Sequence, residues 1–152
     1  MIHSSELSIN PESVIVFLPI KPVYSKRIID GTKRFEFRRS KINRGITHII
    51  FYSSSPVKKI VAIAQVEEIF VSSPTSIWER TKGSAGISRR GFREYFAGKK
   101  AAIAISLKKV IPLTRPINPV EIEENFYIPQ SFKYVDDFFL VTVASLGLER
   151  SC

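Results

Sequence analysis

The sequence predicts an α+β domain in which about five short strands curl into a small barrel flanked by two or three short helices. Three observations carry this expectation. Short β-branched and aromatic runs are separated by Pro, Gly and Ser stops. The helical stretches are brief, and each has its own start or stop residue. Strand and helix do not alternate regularly, which argues against a doubly wound parallel sheet.

The elements follow in order. Met1 to Glu12 is polar and reads as a tail, so the domain is expected over residues 13–152 of the 152. Val14 to Leu18 is an apolar, β-branched run that predicts a buried strand. Pro22 suits the first turn of a helix, and Gly31 is its natural stop. Phe35-Glu36-Phe37-Arg38 alternates, putting Glu36 and Arg38 on one strand face that is either solvent-exposed or the wall of a polar cleft. Thr47 to Tyr52 predicts the next strand, closed by Ser53-Ser54-Ser55-Pro56. Lys59 to Phe70 predicts a long strand whose Ile63 and Val66 fall out of phase, the mark of a bulge.

Ser73-Pro74 opens a helix through Trp78 and Arg80, with Ser76 and Glu79 spaced like a capping box. Gly83 to Gly86 reads as a flexible turn. Ser88 caps a helix from Arg89 to Ala97 with Phe92, Tyr95 and Phe96 on one face and Arg89, Arg90 and Arg93 mostly on the other. Ala101 to Leu107 predicts a strand, and the Pro-punctuated stretch from Pro112 to Pro129 a single helical turn around Glu121 to Glu124. Phe132 to Ala144 fits helix by its Asp136 cap and strand by Val141 and Val143.

Composition narrows the function classes. Hydrophobic residues are 44% of the chain, too many for disorder, and no apolar run is long enough to span a membrane. No basic region followed by an apolar run opens the chain, so no secretory signal and no membrane partner are expected. The single cysteine, Cys152, cannot form an internal disulfide, and a cytoplasmic location is the expectation. With one Cys and two distant histidines, His3 and His48, neither a metal nor an organic cofactor is called for.

Charge is the most informative property. The formal net charge is +9, and the excess is concentrated. Lys21 to Arg44 holds nine basic residues against Asp30 and Glu36, and Arg80 to Lys100 holds seven against Glu94. Two such segments on an otherwise mildly acidic chain read as a polyanion footprint or as a solvated basic surface.

Gly31-Thr32-Lys33-Arg34-Phe35-Glu36-Phe37-Arg38 resembles the G-x-K-x-x-E-x-R signature of ASCH domains, small β-barrels of the PUA-like superfamily. Leu18 to Pro22, Ile50 to Pro56, Trp78-Glu79, Gly86-Ile87-Ser88 and Pro129 to Phe132 follow in the order that resemblance expects, so it spans Val16 to Tyr134. It implies a cleft floored by the Lys33–Arg38 strand, where relatives are proposed to bind RNA or act on nucleosides.

Nucleic acid, with RNA favoured over DNA, is therefore the expected partner; oligomeric state is left open. The candidate binding residues are Lys21, Lys33, Glu36, Arg38, Arg39, Tyr52, Ser53, Ser54, Arg89, Arg90, Gln130 and Ser131. Lys33 and Arg38 offer donors to phosphate, and Glu36 either accepts from a base or ribose hydroxyl or simply pairs with Arg38. Tyr52 offers an aromatic face beside small hydroxyls, or is a core residue at a turn. Trp78 reads as a core anchor before it reads as a stacking platform.

Some relatives are amidohydrolases with a Lys–Thr–Glu arrangement. Lys33 matches the Lys, but Glu36 stands at the Thr position and Lys82-Gly83-Ser84-Ala85 has no carboxylate, so that activity does not carry over. A nucleic-acid-binding module ranks first. A hydrolase of RNA or a modified nucleoside, with Lys33 and Glu36 as acid/base pair, ranks second, and a protein-interaction domain third.

Overall fold

The computed structural model describes residues 7–148, so most of the expected tail, His3 and Cys152 lie outside the described residues. Six strands form one sheet in the order β2-β5-β4-β3-β1-β6. They are β1 (Ile15–Ile20), β2 (Phe35–Arg38), β3 (His48–Ser53), β4 (Lys59–Ser72), β5 (Ala102–Ile117) and β6 (Lys133–Val135). β1 and β3 run parallel, because helix α1 (Pro22–Asp30) and β2 lie between them in the chain. All other neighbours are antiparallel.

The expected barrel is present as a curled half-barrel with β2 and β6 at its two edges. Side chains link those edges. Arg38 Nη2, at the end of β2, donates to Ser131 Oγ at 2.7 Å, just before β6. The Asn43 amide, in the loop after β2, donates to the Tyr134 hydroxyl of β6 at 3.1 Å.

Curling needs long, irregular strands, and β4 and β5 supply them. Their pairing shifts register between Gln65 and Val66 and again between Val66 and Glu68, so the bulge expected near Val66 is there. β5 runs ten residues beyond the expected end at Leu107, passing through Pro112 and Pro116. Proline is tolerated because β2 pairs only with Ile103 to Ser106, which leaves the outer half of β5 at an edge.

Both faces of the central strands are covered, which is why they read as unbroken apolar runs. On one face Ile15, Phe17, Ile60, Ile117, Phe126 and Phe139 pack together under helix α4 (Asp137–Gly147). On the other, Val16, Leu18, Ile49, Phe51 and Ile105 pack against Ile28 of α1. A third cluster joins Phe37 of β2 to Ile77 of α2 (Pro74–Thr81) and to Phe92 and Phe96 at α3 (Arg89–Tyr95).

Local expectations differ from the structure in several places. The segment after Phe132 is both a strand and a helix: β6 gives way to α4 at Asp136, whose carboxylate accepts from the Phe139 amide at 2.9 Å. Val143 tolerates the helix because its side chain is fully buried in the core. In α2 the N-cap is Ser73, which accepts from the Ser76 amide, while Glu79 pairs with Lys82 at 2.9 Å instead of closing a box with Ser76. The turn expected around Glu121 to Glu124 lies earlier, over Pro119–Glu121, with Asn118 and Glu121 forming a capping box. No described helix is long and apolar enough to cross a membrane.

Candidate functional site

The site grows from the stop of α1. Gly31 takes φ +87, a left-handed conformation open to glycine, and turns the chain so that Lys33 points inward. Lys33 is only 3% exposed. Its Nζ donates to the Ala85 carbonyl at 2.8 Å and lies 4.6 Å from the centre of the Phe37 ring and 5.3 Å from that of Tyr24. Burial, with Arg27 nearby, pushes the ammonium down to about 8, against an opposing pull from Glu36.

The loop over Lys33 is held in place by these contacts. Lys82–Ser84 forms a 3-10 turn, and Ala85 is buried. Gly86 adopts φ +65, and a Cβ there would lie 2.2 Å from Lys33 Cβ. Arg27 Nη1 fastens the Gly86 carbonyl at 2.8 Å. The segment expected to be flexible is thus a clamp on the lysine.

Three residues after Lys33, in β2, the side chain of Glu36 is buried beside that of Arg38, and an ion pair joins Arg38 Nη1 to Glu36 Oε2 at 3.4 Å. Burial raises the Glu36 carboxyl above its ordinary value, while Lys33 and Arg38 pull it back. Arg38 Nε is the one buried side-chain polar atom without a hydrogen-bond partner among the described residues. Leaving such a donor unpaired costs about 1–3 kcal/mol, a cost that stability alone does not explain.

These groups open into a cleft of about 550 Å³ between β2, α1 and α3. Lys21, Lys33, Arg38 and Arg39 line it, with Glu36 and Glu94 as the carboxylates. Tyr24 and Tyr95 also face it. Tyr95 donates to the Phe37 carbonyl at 3.1 Å and carries the Arg39 guanidinium 4.8 Å above its ring. Ser131 joins the site through Arg38.

Other sequence-predicted residues lie elsewhere. Tyr52 is 6% exposed and packs in the core, 5.4 Å from the Phe17 ring, because β3 buries both its faces. The Ser53 hydroxyl is buried and bonded to Ser25 at 3.0 Å, pinning α1 to the sheet. Ser54 uses its amide on the Ile20 carbonyl. Arg89 lines a different groove, on the far side of α3, and Arg90 pairs with Glu94 at 3.1 Å. Gln130 is exposed and outside the cleft lining.

Sequence reasoning missed Tyr24 and Tyr95 as cleft residues. The available signal for Tyr24 was its place on α1 beside, and not among, the buried Ser25 and Ile28. His48 is committed to structure: its ring nitrogens meet Thr47 Oγ1 and the Leu7 carbonyl. No group of three or more His, Cys, Asp or Glu that could hold a metal ion comes together among the described residues.

A family described as a domain of unknown function (DUF365) matches residues 13–137. Over 129 residues the chain is 31% identical to an "ASCH domain-containing ribonuclease" of Zymomonas mobilis subsp. mobilis, covering 82% of this chain and 86% of that protein. The chain belongs to the ASCH domain family. The crystal structure of ASCH from Zymomonas mobilis superposes with a TM-score of 0.81 at 30% identity, covering 88% of this chain and 95% of that one. The ASCH half-barrel also resembles the N-terminal domain of Staphylothermus marinus McrB, with a TM-score of 0.58 at 11% identity over 88% of this chain and 94% of that one, a likeness of fold alone.

Proposed function

We propose that this ASCH domain binds single-stranded RNA in a basic cleft and cleaves it. The observation that carries the proposal is the presence in one cleft of two buried groups of opposite charge, Lys33 and Glu36, each pushed toward its neutral form. A surface that only grips phosphate gains nothing from a buried carboxylate, which repels the backbone. A proton-transfer site gains directly from both shifts. The Zymomonas relative, named a ribonuclease, supports the same reading.

The chemistry follows from the groups present. The Glu36 carboxylate takes the proton of a ribose 2′-hydroxyl, whose oxygen attacks the adjacent phosphorus. A bond forms from O2′ to phosphorus, and the bond to O5′ breaks. The Lys33 ammonium gives its proton to the departing 5′ oxygen. Arg38 steadies the charge that builds on the phosphate, and Lys21 and Arg39 hold the flanking backbone. The products are a 2′,3′-cyclic phosphate and a 5′-hydroxyl. Because the nucleophile belongs to ribose, RNA is cut and DNA is not.

The test uses end-labelled single-stranded RNA and the matching DNA. Cleavage of RNA alone, leaving cyclic phosphate ends, is expected. Glu36→Gln and Lys33→Met each reduce the rate by ~100-fold or more, with a smaller loss of binding. RNA recovered intact, or DNA cut equally well, rejects the mechanism. Intact RNA bound in a salt-sensitive manner, and released by Lys33→Ala/Arg38→Ala, would establish the second reading, a binding module. The four cations lining the cleft favour that alternative.

A further inference from the structure

Much of the second basic segment of the chain is not used by the cleft. Arg89, Arg93 and Lys99 instead line a separate groove of about 340 Å³ on the opposite side of α3, together with Trp78, Phe92 and Phe96. Helical spacing makes α3 a partition. Gly91, Glu94 and Tyr95 face the cleft, while Arg89, Phe92, Arg93 and Phe96 face the groove.

The groove combines two features. Trp78 is half-buried, and Phe92 backs its indole at 5.1 Å between ring centres, so the ring is fixed while its remaining surface borders the groove. Arg89 and Arg93 are exposed side chains that take part in no ion pair among the described residues. Glu79, the carboxylate in the lining, is already paired with Lys82. A fixed aromatic surface beside an excess of cations is the pairing that holds single-stranded nucleic acid, by base stacking and phosphate contact. An apolar ligand would leave three cations unused, and a bare anion would leave the indole unused.

We propose that this groove is a second nucleotide-binding subsite, in which a base stacks on Trp78 while Arg89, Arg93 and Lys99 hold the phosphates. A strand leaving the cleft reaches it by crossing α3, a width of ~10 Å. The subsite is distinct from the cleavage site and rests on that reading only for RNA as the ligand.

Trp78 is the single tryptophan of the chain, so its emission reports the groove directly. A dodecanucleotide of 2′-O-methyluridine, which has no free 2′-hydroxyl and stays intact, is titrated into the full chain at low salt. Saturable quenching of Trp78 is expected. Affinity falls about tenfold in Arg89→Ala/Arg93→Ala, where two phosphate contacts are lost from exposed positions. Unmoved emission together with unchanged affinity in that double variant overturns the subsite. Quenching by polyglutamate and not by the oligonucleotide overturns it as well, and assigns the groove to acidic protein. Lys21→Ala/Arg39→Ala separates the two proposals, because it removes backbone contacts of the cleft and leaves the lining of the groove intact. If its affinity and its Trp78 quenching match wild type, the groove stands while the cleft loses its claim to RNA.

Discussion

The two sides of the sheet bury their residues on opposite principles. Beneath α4, Phe17, Phe126 and Phe139 meet ring against ring, with centroids 4.8 to 6.2 Å apart, and no charge is buried among them. Beside β2, Lys33 and Glu36 are as deeply buried as many core residues, yet burial pushes each toward its neutral form. The first region contributes stability, and the second costs it. A chain that only needed to fold would fill the second with leucine. The difference teaches that burial alone does not mark a core; the physical signature of the site is burial that works against ionisation.

Substitutions of similar kind should therefore move stability in opposite directions. Phe139→Ala is expected to lower the unfolding free energy by about 3–5 kcal/mol, read by urea denaturation, through lost transfer energy and a cavity under α4. A loss below 1 kcal/mol would show that α4 is not packed as described. Gly86→Ala should cost about 3 kcal/mol, since its Cβ meets Lys33 Cβ and its φ is positive. RNA cleavage should fall with it, because the Ala85 carbonyl can no longer hold Lys33.

Lys33→Met is expected to do the reverse. At pH 7 it should raise the unfolding free energy by about 1–2 kcal/mol while removing activity, because an unfavourably buried ammonium is gone. The sign has a pH dependence. A lysine lowered to about 8 leaves the unfolded chain with more bound protons between that value and 10.5, so wild-type stability rises across this window and the advantage of Met fades. Glu36 acts differently: its raised carboxyl favours the fold in acid, and that contribution is lost as pH rises through its folded value. Cleavage should accordingly follow a bell, with the alkaline limb near 8 set by Lys33. In Glu36→Gln that lysine should titrate lower still, since the carboxylate no longer supports its charge, and NMR of the Lys33 ammonium would read the change.

The smallest effect is expected at the seam. Ser131→Ala removes an acceptor of Arg38 from an exposed position and should cost roughly 1 kcal/mol, with faster amide exchange confined to β6. Exchange accelerated throughout the sheet would show that the half-barrel depends on this link more than its strand ladders suggest.

Much of this arrangement could be read from residues alone. Gly31 as a stop, the alternation from Phe35 to Arg38 and the irregularity near Val66 are local signals, and each corresponds to an observed element. Lys33, Glu36 and Arg38 were legible because they lie within six residues of one another, on β2 and the turn just before it. Of its two readings Tyr52 takes the core one, because both faces of β3 are buried, which only the sheet order decides; Arg89 lies outside the cleft because α3 turns it toward the groove. Tyr95 was missed because it resembles its neighbours Phe92 and Phe96, which do belong to the core. The proline-marked end of β5 was unreadable because proline is excluded from paired strands and allowed at edges, and sequence does not say which edge is free.

The close approach of Gly86 to Lys33 has a consequence for how such a chain can diverge. The collision would be with Cβ and Cγ of residue 33, atoms that most other side chains also possess, and not with the ammonium. A lineage that abandons the lysine's chemistry still inherits the steric demand for glycine at 86. Among descendants, the glycine would persist as a record of the fold, while the identity of residue 33 would record whether the reaction was kept.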